Sequence, residues 1–315
     1  MHITVFEANG PREATADELA GLIAGSDTFW VDMIGPTDED KQAMREVFGF
    51  HPLTIQQTFN EKQRPKIEEY GDYLFLILDP VTPGENRLAF RELDLFVGAQ
   101  YVVTVHMGPE PIIAEVRKRL AVGTNGTLSS AQLMYVVLDV VVDAYFPVLD
   151  AAGAGIEAIE QMILTHPSEA VMNDIINLKR VLNGLWRVLW PQRDVVHSLI
   201  HHDIDFIDKK EIKHYLRDVS EHLMWLSDMI DNARDMLTGL SDLYMSAVSL
   251  RLSQSVNRLT VWAVVIGMLT VISAFYGMNF LNTWPPYNAP WSILGVVGIM
   301  AGLSALLVWM LRREG

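Results

Sequence analysis

Between Leu259 and Leu311 the chain has no Asp, Glu, Lys or Arg, and its one substantial interruption is Asn279 through Pro290. A bilayer's hydrocarbon core takes about 20 apolar helical residues, so these two runs read as two membrane spans joined by a tight loop. That reading constrains what precedes it. Met1-His2-Ile3-Thr4-Val5-Phe6-Glu7 is too short an apolar run, and too soon acidic, for a signal peptide. The long first part is therefore expected to stay on the side of synthesis. Basic residues resist translocation, and Arg251 and Arg258 precede the first run while Arg312 and Arg313 follow the second, with none in the loop. A multi-pass protein of the plasma membrane (the inner membrane of a bacterium) with both termini cytoplasmic is expected.

A formal net charge of −15 argues against a nucleic-acid partner, whose phosphates need clustered Lys and Arg, and an acidic surface suits cations instead. Cysteine is absent, which excludes disulfides and thiolate metal sites. No Walker loop, dinucleotide fingerprint or nucleophile elbow is present, and no nucleophile–base constellation marks an enzyme.

Residues 1 to about 125 carry apolar, β-branched runs at Ile3–Phe6, Phe29–Met33, Tyr73–Leu78, Leu93–Val97 and Tyr101–His106, bounded by turn residues such as Pro36, Pro83-Gly84 and Gly98. Thr37 is placed to cap a helix, with Asp40 three residues on. An α/β domain with a central sheet is expected. From about Ser130 the strand signals stop. One helix is expected to run from there to about Leu164, with Ala152-Gly153-Ala154-Gly155 as a close-packing site within it. A second should be kinked or interrupted at Pro191. Asp208 and Glu211 resemble a capping box, and no proline follows until Pro285, so a third helix could run from about Lys209 to Gly277. At 1.5 Å per residue that is roughly 100 Å, far more than a bilayer needs.

Two stripes on that helix differ in chemistry. Leu216, Val219, Leu223, Leu226, Ile230, Ala233, Leu237, Leu240, Tyr244 and Ala247 recur at alternating spacings of three and four, as a packing seam does. A second series keeps the same spacing: Asp218, Glu221, Trp225, Asp228, Asn232, Asp235, Gly239, Asp242, Ser246, Ser249, Ser253, Val256, Thr260, Ala263, Gly267, Thr270 and Ala274. It changes from acidic to small and polar as it enters the span. Two readings fit it: close helix packing, or a water-filled cation path in which acids concentrate the ion and a small, uncharged face passes it on. Two spans cannot enclose a hydrophilic pore, so the path reading requires several copies. Gly295, Gly298, Gly302 and Ala305 give the second span a small-residue face suited to packing on the first.

Tyr276-Gly277-Met278-Asn279-Phe280, at the end of the first of two C-terminal spans, resembles the signature of the CorA-type divalent-cation channels. Trp30-Val31-Asp32, Phe50-His51-Pro52-Leu53, Gln63-Arg64-Pro65-Lys66-Ile67-Glu68, Tyr145-Phe146, Leu178-Lys179-Arg180, Trp190-Pro191, Arg217-Asp218-Val219 and Leu259-Thr260 are similar to family positions in the family's order. The resemblance implies an α+β membrane protein with an N-terminal α/β/α cytoplasmic domain, a funnel of long helices, two C-terminal transmembrane helices and a homopentameric assembly. On this chain the parts would be residues 1–125, 126–256, spans at 257–280 and 291–311, an external loop at 281–290 and a cytoplasmic tail at 312–315. It further implies ion recognition at Gly277, Met278 and Asn279, with Ser253, Val256, Leu259, Gly267, Thr270 and Ala274 lining the pore. Val256 and Leu259 would form its hydrophobic constriction, and Arg312 and Arg313 stand where the family has a basic collar. Mg²⁺ dehydrates reluctantly, so a ring of neutral Asn279 amide oxygens can hold the hydrated ion without stripping it. Gly277 would permit the turn that ends the helix.

Three departures qualify the resemblance. The loop Leu281 to Asn288 is uncharged where many members are acidic, Met268 lies near a position where a proline is common, and Gln56-Gln57 replaces an acidic pair. In well-studied members one carboxylate of that pair meets the counterpart of Asp218 and senses internal Mg²⁺. Regulation is therefore expected to be weaker, or to use Glu221 or Asp228. His197 and His201, at i and i+4 before His202, Asp203 and Asp205, form a candidate Zn²⁺ or Ni²⁺ cluster. The expected function is passive movement of Mg²⁺, with Co²⁺ and Ni²⁺ as further candidates. No cofactor is expected beyond Mg²⁺ as transported and regulatory ion. The alternatives are a proton-coupled Zn²⁺ transporter of the same family and a membrane-anchored cation sensor that does not conduct.

Overall fold

In the computed structural model the described residues are all except 61–62, 84–87, 109, 124–127, 202–203, 205, 207–208, 279–290 and 314–315. The N-terminal strands are β1 (His2–Glu7), β2 (Gly10–Ala14), β3 (Thr28–Ile34), β4 (Lys66–Glu69), β5 (Tyr73–Leu78), a separate hairpin of β6 (Val81–Pro83) and β7 (Leu88–Phe90), then β8 (Leu93–Gly98) and β9 (Tyr101–His106). Seven of them make one sheet in the order β2-β1-β3-β9-β8-β5-β4, antiparallel except where β3 runs parallel to β9. All five expected strands are there. The strands β2, β4, β6 and β7 were not read from the sequence, because their short polar or mixed segments lack a period-2 pattern.

Both faces of the sheet are covered, which is why β5 reads as an unbroken apolar run and β8 is buried at every position, Asp94 included. On one face Ile3, Val5, Phe29, Val31, Met33, Phe75, Ile77, Phe96 and Val103 pack with Leu19 of α1 (Leu19–Ala24), Met44 of α2 (Asp38–Glu46) and Ile55 of α3 (Pro52–Phe59). Thr37 caps α2 as its side chain implied, accepting from the Asp40 N–H at 3.3 Å. α4 (Pro111–Gly123) packs on α5 (Ser130–Asp143), and α5 also touches β3, β8 and β9. The domain is thus a mixed α/β body, layered as expected.

The single helix expected from Ser130 to Leu164 is two: α5, and α6 (Tyr145–Thr165), separated at Ala144. Pro147 has no N–H to give to the Asp143 carbonyl four residues earlier, so one helix closes there and the next restarts with proline in its first turn. Pro191 shows the reverse. α7 (Glu169–His201) passes through it without a break, although an interior proline costs about 3 kcal/mol. Burial of Leu185, Leu189, Gln192, Val195 and Val196 on either side offsets that cost. Within the glycine-rich stretch only Gly155 is closely approached: a Cβ there would lie 3.4 Å from Leu178 Cδ2, whereas Gly153 has open space.

α8 runs from Lys209 to Gly277, 69 residues, as expected, and α9 from Ser292 to Arg313. The proposed cap, Asp208 with Glu211, falls outside what is described. The chain divides into two units, Met1–Ser241 and Asp242–Gly315, with α8 contributing to both. In the first unit the apolar seam is buried at Leu216, Val219, Leu223, Leu226, Ile230, Leu237 and Leu240. In the second, Gly298, Gly302 and Ala305 are exposed, and no atom lies within 4 Å of a Cβ built on Gly298 or Gly302. Within one chain, Gly298, Gly302 and Ala305 of the small-residue face therefore do not pack on α8, while Gly295 is half-buried. Among the described side chains the half-buried positions of α9 are Gly295, Val296, Met300, Leu303, Ser304 and Val308.

Candidate functional site: a polar stripe and a carboxylate–histidine cluster

The second stripe of α8 is exposed at every position from Asp218 to Ala274. Among the described residues, two helical stretches are long and apolar enough to cross a membrane, and burial separates them. The apolar window of Ser130–Thr165 is 56% buried and belongs to the core of the first unit, whereas that of Ile212–Phe275 is only 6% buried. An exposed apolar helix of that length needs lipid or other protein around it. The shorter apolar stretch Ile293–Leu306 lies in α9.

The stripe's hydroxyls have a definite polarity. Thr260 Oγ1 donates to the Val256 carbonyl at 2.9 Å, Thr270 Oγ1 to Ile266 at 2.8 Å, and Ser246 Oγ to Asp242 at 2.9 Å. With each proton engaged on its own helix, these hydroxyls present lone pairs outward, as a cation requires. Ser253, Val256, Leu259, Gly267, Thr270 and Ala274 are all exposed, and open space surrounds a Cβ at Gly267. Val256 and Leu259 are exposed large apolar residues, at 53% and 69%.

At the top of the stripe, Gly277 ends α8 and the Met278 N–H closes a tight turn on the Phe275 carbonyl at 3.3 Å. The helix ends there as expected, with Gly277 outside the left-handed region. Met278 is exposed, and Asn279 lies outside the described residues, as does the loop that follows it.

Lower down, Asp218 meets partners that the sequence had not suggested. Asp139 of α5 and His222, one turn after Asp218 on α8, place their donor atoms within 4.8 Å of one another and of the Asp218 carboxylate. Arg119 binds Asp139 and reaches Asp143 at 2.6 Å, and Asp143 Oδ1 stands 4.0 Å from His222 Nδ1. Burial, with the like charge of Asp143, pushes the Asp139 carboxyl up despite Arg119. Burial and the acids Asp139 and Asp218 push the nearby Tyr135 hydroxyl up to about 12. Two carboxylates and an imidazole, short of positive charge, fit a divalent metal ion. The i, i+4 spacing of Asp218 and His222 was visible in the sequence. Asp139 was not, because only the packing of α5 on α8 brings it there.

The other candidates stand apart. Glu221 and Asp228 are exposed and join no such group among the described residues. Gln57 Oε1 accepts from Lys66 Nζ at 3.0 Å, so the amide that stands in for an acid holds a lysine. The rings of His197 and His201 stack 4.1 Å apart, and His201 Nδ1 is tied to the His197 carbonyl at 2.8 Å. Their expected companions His202, Asp203 and Asp205 lie outside the described residues.

Several resemblance motifs prove to be scaffolding. Asp32 is buried among Thr104 Oγ1 at 2.7 Å, His106 Nε2 at 3.1 Å and Arg117 Nη2 at 2.8 Å. His51 caps α3 by accepting from the Leu53 N–H at 3.2 Å, and Phe50 stacks on Phe96 at 4.2 Å. Tyr145 is completely buried, donating to the Asp79 carbonyl and accepting from Gln192 Nε2.

A large α/β body continuing into a long, exposed apolar helix and a second apolar helix defines an integral membrane protein. The chain belongs to the family of CorA-like Mg²⁺ transporter proteins, whose profile matches residues 25–313. It is therefore a membrane transporter rather than an enzyme. It is 31% identical to YfjQ of Bacillus subtilis, over 90% of this chain and 89% of that one. With the cobalt/magnesium transport protein CorA of Thermotoga maritima it shares 29% identity over 100% of this chain and 90% of the other. The solved structure of the complete CorA magnesium transporter from Methanocaldococcus jannaschii, 21% identical, superposes with a TM-score of 0.81, covering 100% of this chain and 98% of that one.

Proposed function

We propose that the chain is one subunit of a homopentameric channel that passes hydrated Mg²⁺, and with it Co²⁺ or Ni²⁺, into the cytoplasm down the electrochemical gradient. The observation that carries this reading is the second stripe of α8, exposed without interruption while it changes from carboxylates to outward lone pairs and small residues. Five such stripes facing one axis would line a path, with Gly277, Met278 and Asn279 at its outer mouth and Val256 and Leu259 at a constriction that gates by dewetting. The Asn279 amides recognise the ion through its water shell. An inside-negative potential supplies about 2.3 kcal/mol per charge per 100 mV, and a divalent ion feels it twice. Both termini lie in the cytoplasm, and Arg312 and Arg313 anchor the second span there.

Asp218, Asp139 and His222 form the regulatory site on this reading, filled when internal Mg²⁺ is high. The test is divalent-cation uptake into liposomes carrying the purified protein. Uptake of Mg²⁺ is expected, reduced at least tenfold by Asn279→Ala. Absence of flux for Mg²⁺, Co²⁺, Ni²⁺ and Zn²⁺ alike would refute conduction and leave a sensor. Zn²⁺ flux that depends on a pH gradient would point to the proton-coupled branch.

A further inference from the structure

Two indoles stand on the surface of α7. Trp186 and Trp190 are 39% and 42% exposed, and their rings stack 5.8 Å apart. They belong to a line of residues at alternating spacings of four and three, Lys179, Asn183, Trp186, Trp190, Arg193 and His197, in which Arg193 is half-buried and the others are exposed. A separate line on the same helix, Leu182, Leu185, Leu189 and Val196, is buried in the core. α7 thus has two seams, and among the described residues only the second is covered. The Arg193 guanidinium lies 3.8 Å from the Trp190 ring centre, and Arg234 of α8 lies 5.6 Å from that of Trp186. These cation–π contacts hold the indoles in place. Between Asp174 and Asp194, α7 carries Lys179, Arg180, Arg187 and Arg193 and no acid, a local reversal of sign in a chain of net charge −15.

α6 carries the opposite charge. From Tyr145 to Thr165 it has no basic residue, and Asp150, Gly153, Glu157, Glu160 and Leu164 continue from Phe146 at the same alternating spacing. The three acids and Leu164 are exposed, and a Cβ built on Gly153 would meet open space. Neither these acids nor Lys179 and Arg187 form an ion pair among the described residues. The two lines flank α8 on opposite sides. Phe146 sets its ring 5.1 Å from that of Trp225, whereas Trp186 meets Arg234. Trp225 and Arg234 are nine residues apart, about 2.5 turns of helix, so they point away from each other. One chain therefore presents an acidic flank beside α6 and a basic, aromatic flank beside α7.

Unlike flanks on opposite sides are what a head-to-tail ring requires, since each contact then pairs one kind of surface with the other. We propose that the Trp186 and Trp190 flank of one subunit docks on the α6 flank of the next copy of this chain, its basic residues facing that copy's acids. Tryptophan and arginine are the residues that dominate interface energetics when covered, and indoles already held by guanidinium groups lose little freedom on docking. A second copy is the occupant because it brings an unpaired acidic flank of matching periodicity into the same assembly. Charge attraction across the contact fixes which neighbour fits, and like flanks repel. The inference rests on the reading that several copies surround the α8 stripe, and it adds where neighbouring copies hold one another.

The chain has no cysteine, so introduced thiols report the contact directly. Full-length Glu157→Cys, Asn183→Cys and the double variant are purified in detergent and treated with a flexible bismaleimide, while native mass spectrometry reads the assembly state separately. A covalent ladder up to the full assembly is expected from the double variant and none from either single one. An assembled double variant that gives no ladder overturns the proposal, and so does a single variant that cross-links to itself as readily. A monomeric wild type would overturn both the proposal and the assembly reading beneath it. Charge reversal is the second test. Lys179→Glu/Arg193→Glu is expected to raise the dissociated fraction at least tenfold, Glu157→Lys/Glu160→Lys likewise, and the four changes together to restore assembly. Dissociation of the fourfold variant as great as the two losses combined would refute the docking.

Discussion

Tyr145→Phe tests how the sheet is joined to the helices around it. The phenol of Tyr145, at the start of α6, donates to the Asp79 carbonyl at the end of β5 and accepts from Gln192 Nε2 of α7 at 2.9 Å. Gln192 Oε1 closes the ring by accepting the Asp79 N–H at 3.2 Å. Tyr145 and Gln192 are 0% and 2% exposed, so water cannot replace what is lost. Removing the hydroxyl strands one amide N–H and one carbonyl, at about 1–3 kcal/mol each before relaxation. A net loss of about 3 kcal/mol is expected. At roughly 2–4 °C per kcal/mol for a large domain, the melting temperature should fall by about 6–12 °C. The assay is thermal unfolding of the detergent-solubilised protein, extended to Gln192→Leu and the double variant. Because the two side chains share one ring, the double variant should be less destabilised than the two losses combined, by about 1–2 kcal/mol. A Tyr145→Phe protein melting within 2 °C of wild type, or strict additivity in the cycle, would refute the reasoning.

Leu226→Ala empties a fully buried position on the α8 seam and should cost about 2–5 kcal/mol in the same melts, whereas Met224→Ala, at an exposed position, should cost under about 1 kcal/mol. Mg²⁺ should protect the wild type from proteolysis, and protection should be lost in Asp218→Asn and in Asp139→Asn but kept in Glu221→Gln. Equal protection in wild type and Asp218→Asn would move the sensor elsewhere. Burial pushes the His106 ring down, but its bonds to Asp32 and Gly108 raise it above its ordinary value overall. The stability it contributes is therefore complete below about pH 6.5 and lost as pH rises through the raised value. The wild type minus His106→Gln difference in melting temperature should shrink on the alkaline side, and a difference constant from pH 5.5 to 9 would refute the imidazolium. Asp32 behaves oppositely: burial raises it, but His106, Thr104 and Arg117 pull it below its ordinary value. Its contribution is lost only as acid titrates it through that lowered pKa, below about pH 4.

The elements legible in advance were those with long, consistent patterns. β5 and β9 match their apolar runs residue for residue, and α8 runs from Lys209 to Gly277 as the spacing of prolines and the heptad-like seam implied. The helical break at Ala144 was missed because a proline's effect depends on where it falls. Pro147 lies where a helix can begin, whereas Pro191 is carried through by burial of its neighbours. Of the small residues of α9, Gly298 and Gly302 have open space around them within the chain, whereas Gly277 ends α8 in a turn as its sequence position implied.

What the sequence by itself determined is therefore one-dimensional: two uncharged apolar runs, a strand-rich first part, and a polar stripe that persists along one helix because its period is the helix's own. Tertiary structure decided which distant residues meet. Asp139 joins Asp218 and His222 only because α5 packs on α8, and Asp79, Tyr145 and Gln192 close one hydrogen-bonded ring only because β5, α6 and α7 meet. Periodicity is written in local spacing, but a constellation of charges from separate elements is set by packing, which no local pattern encodes.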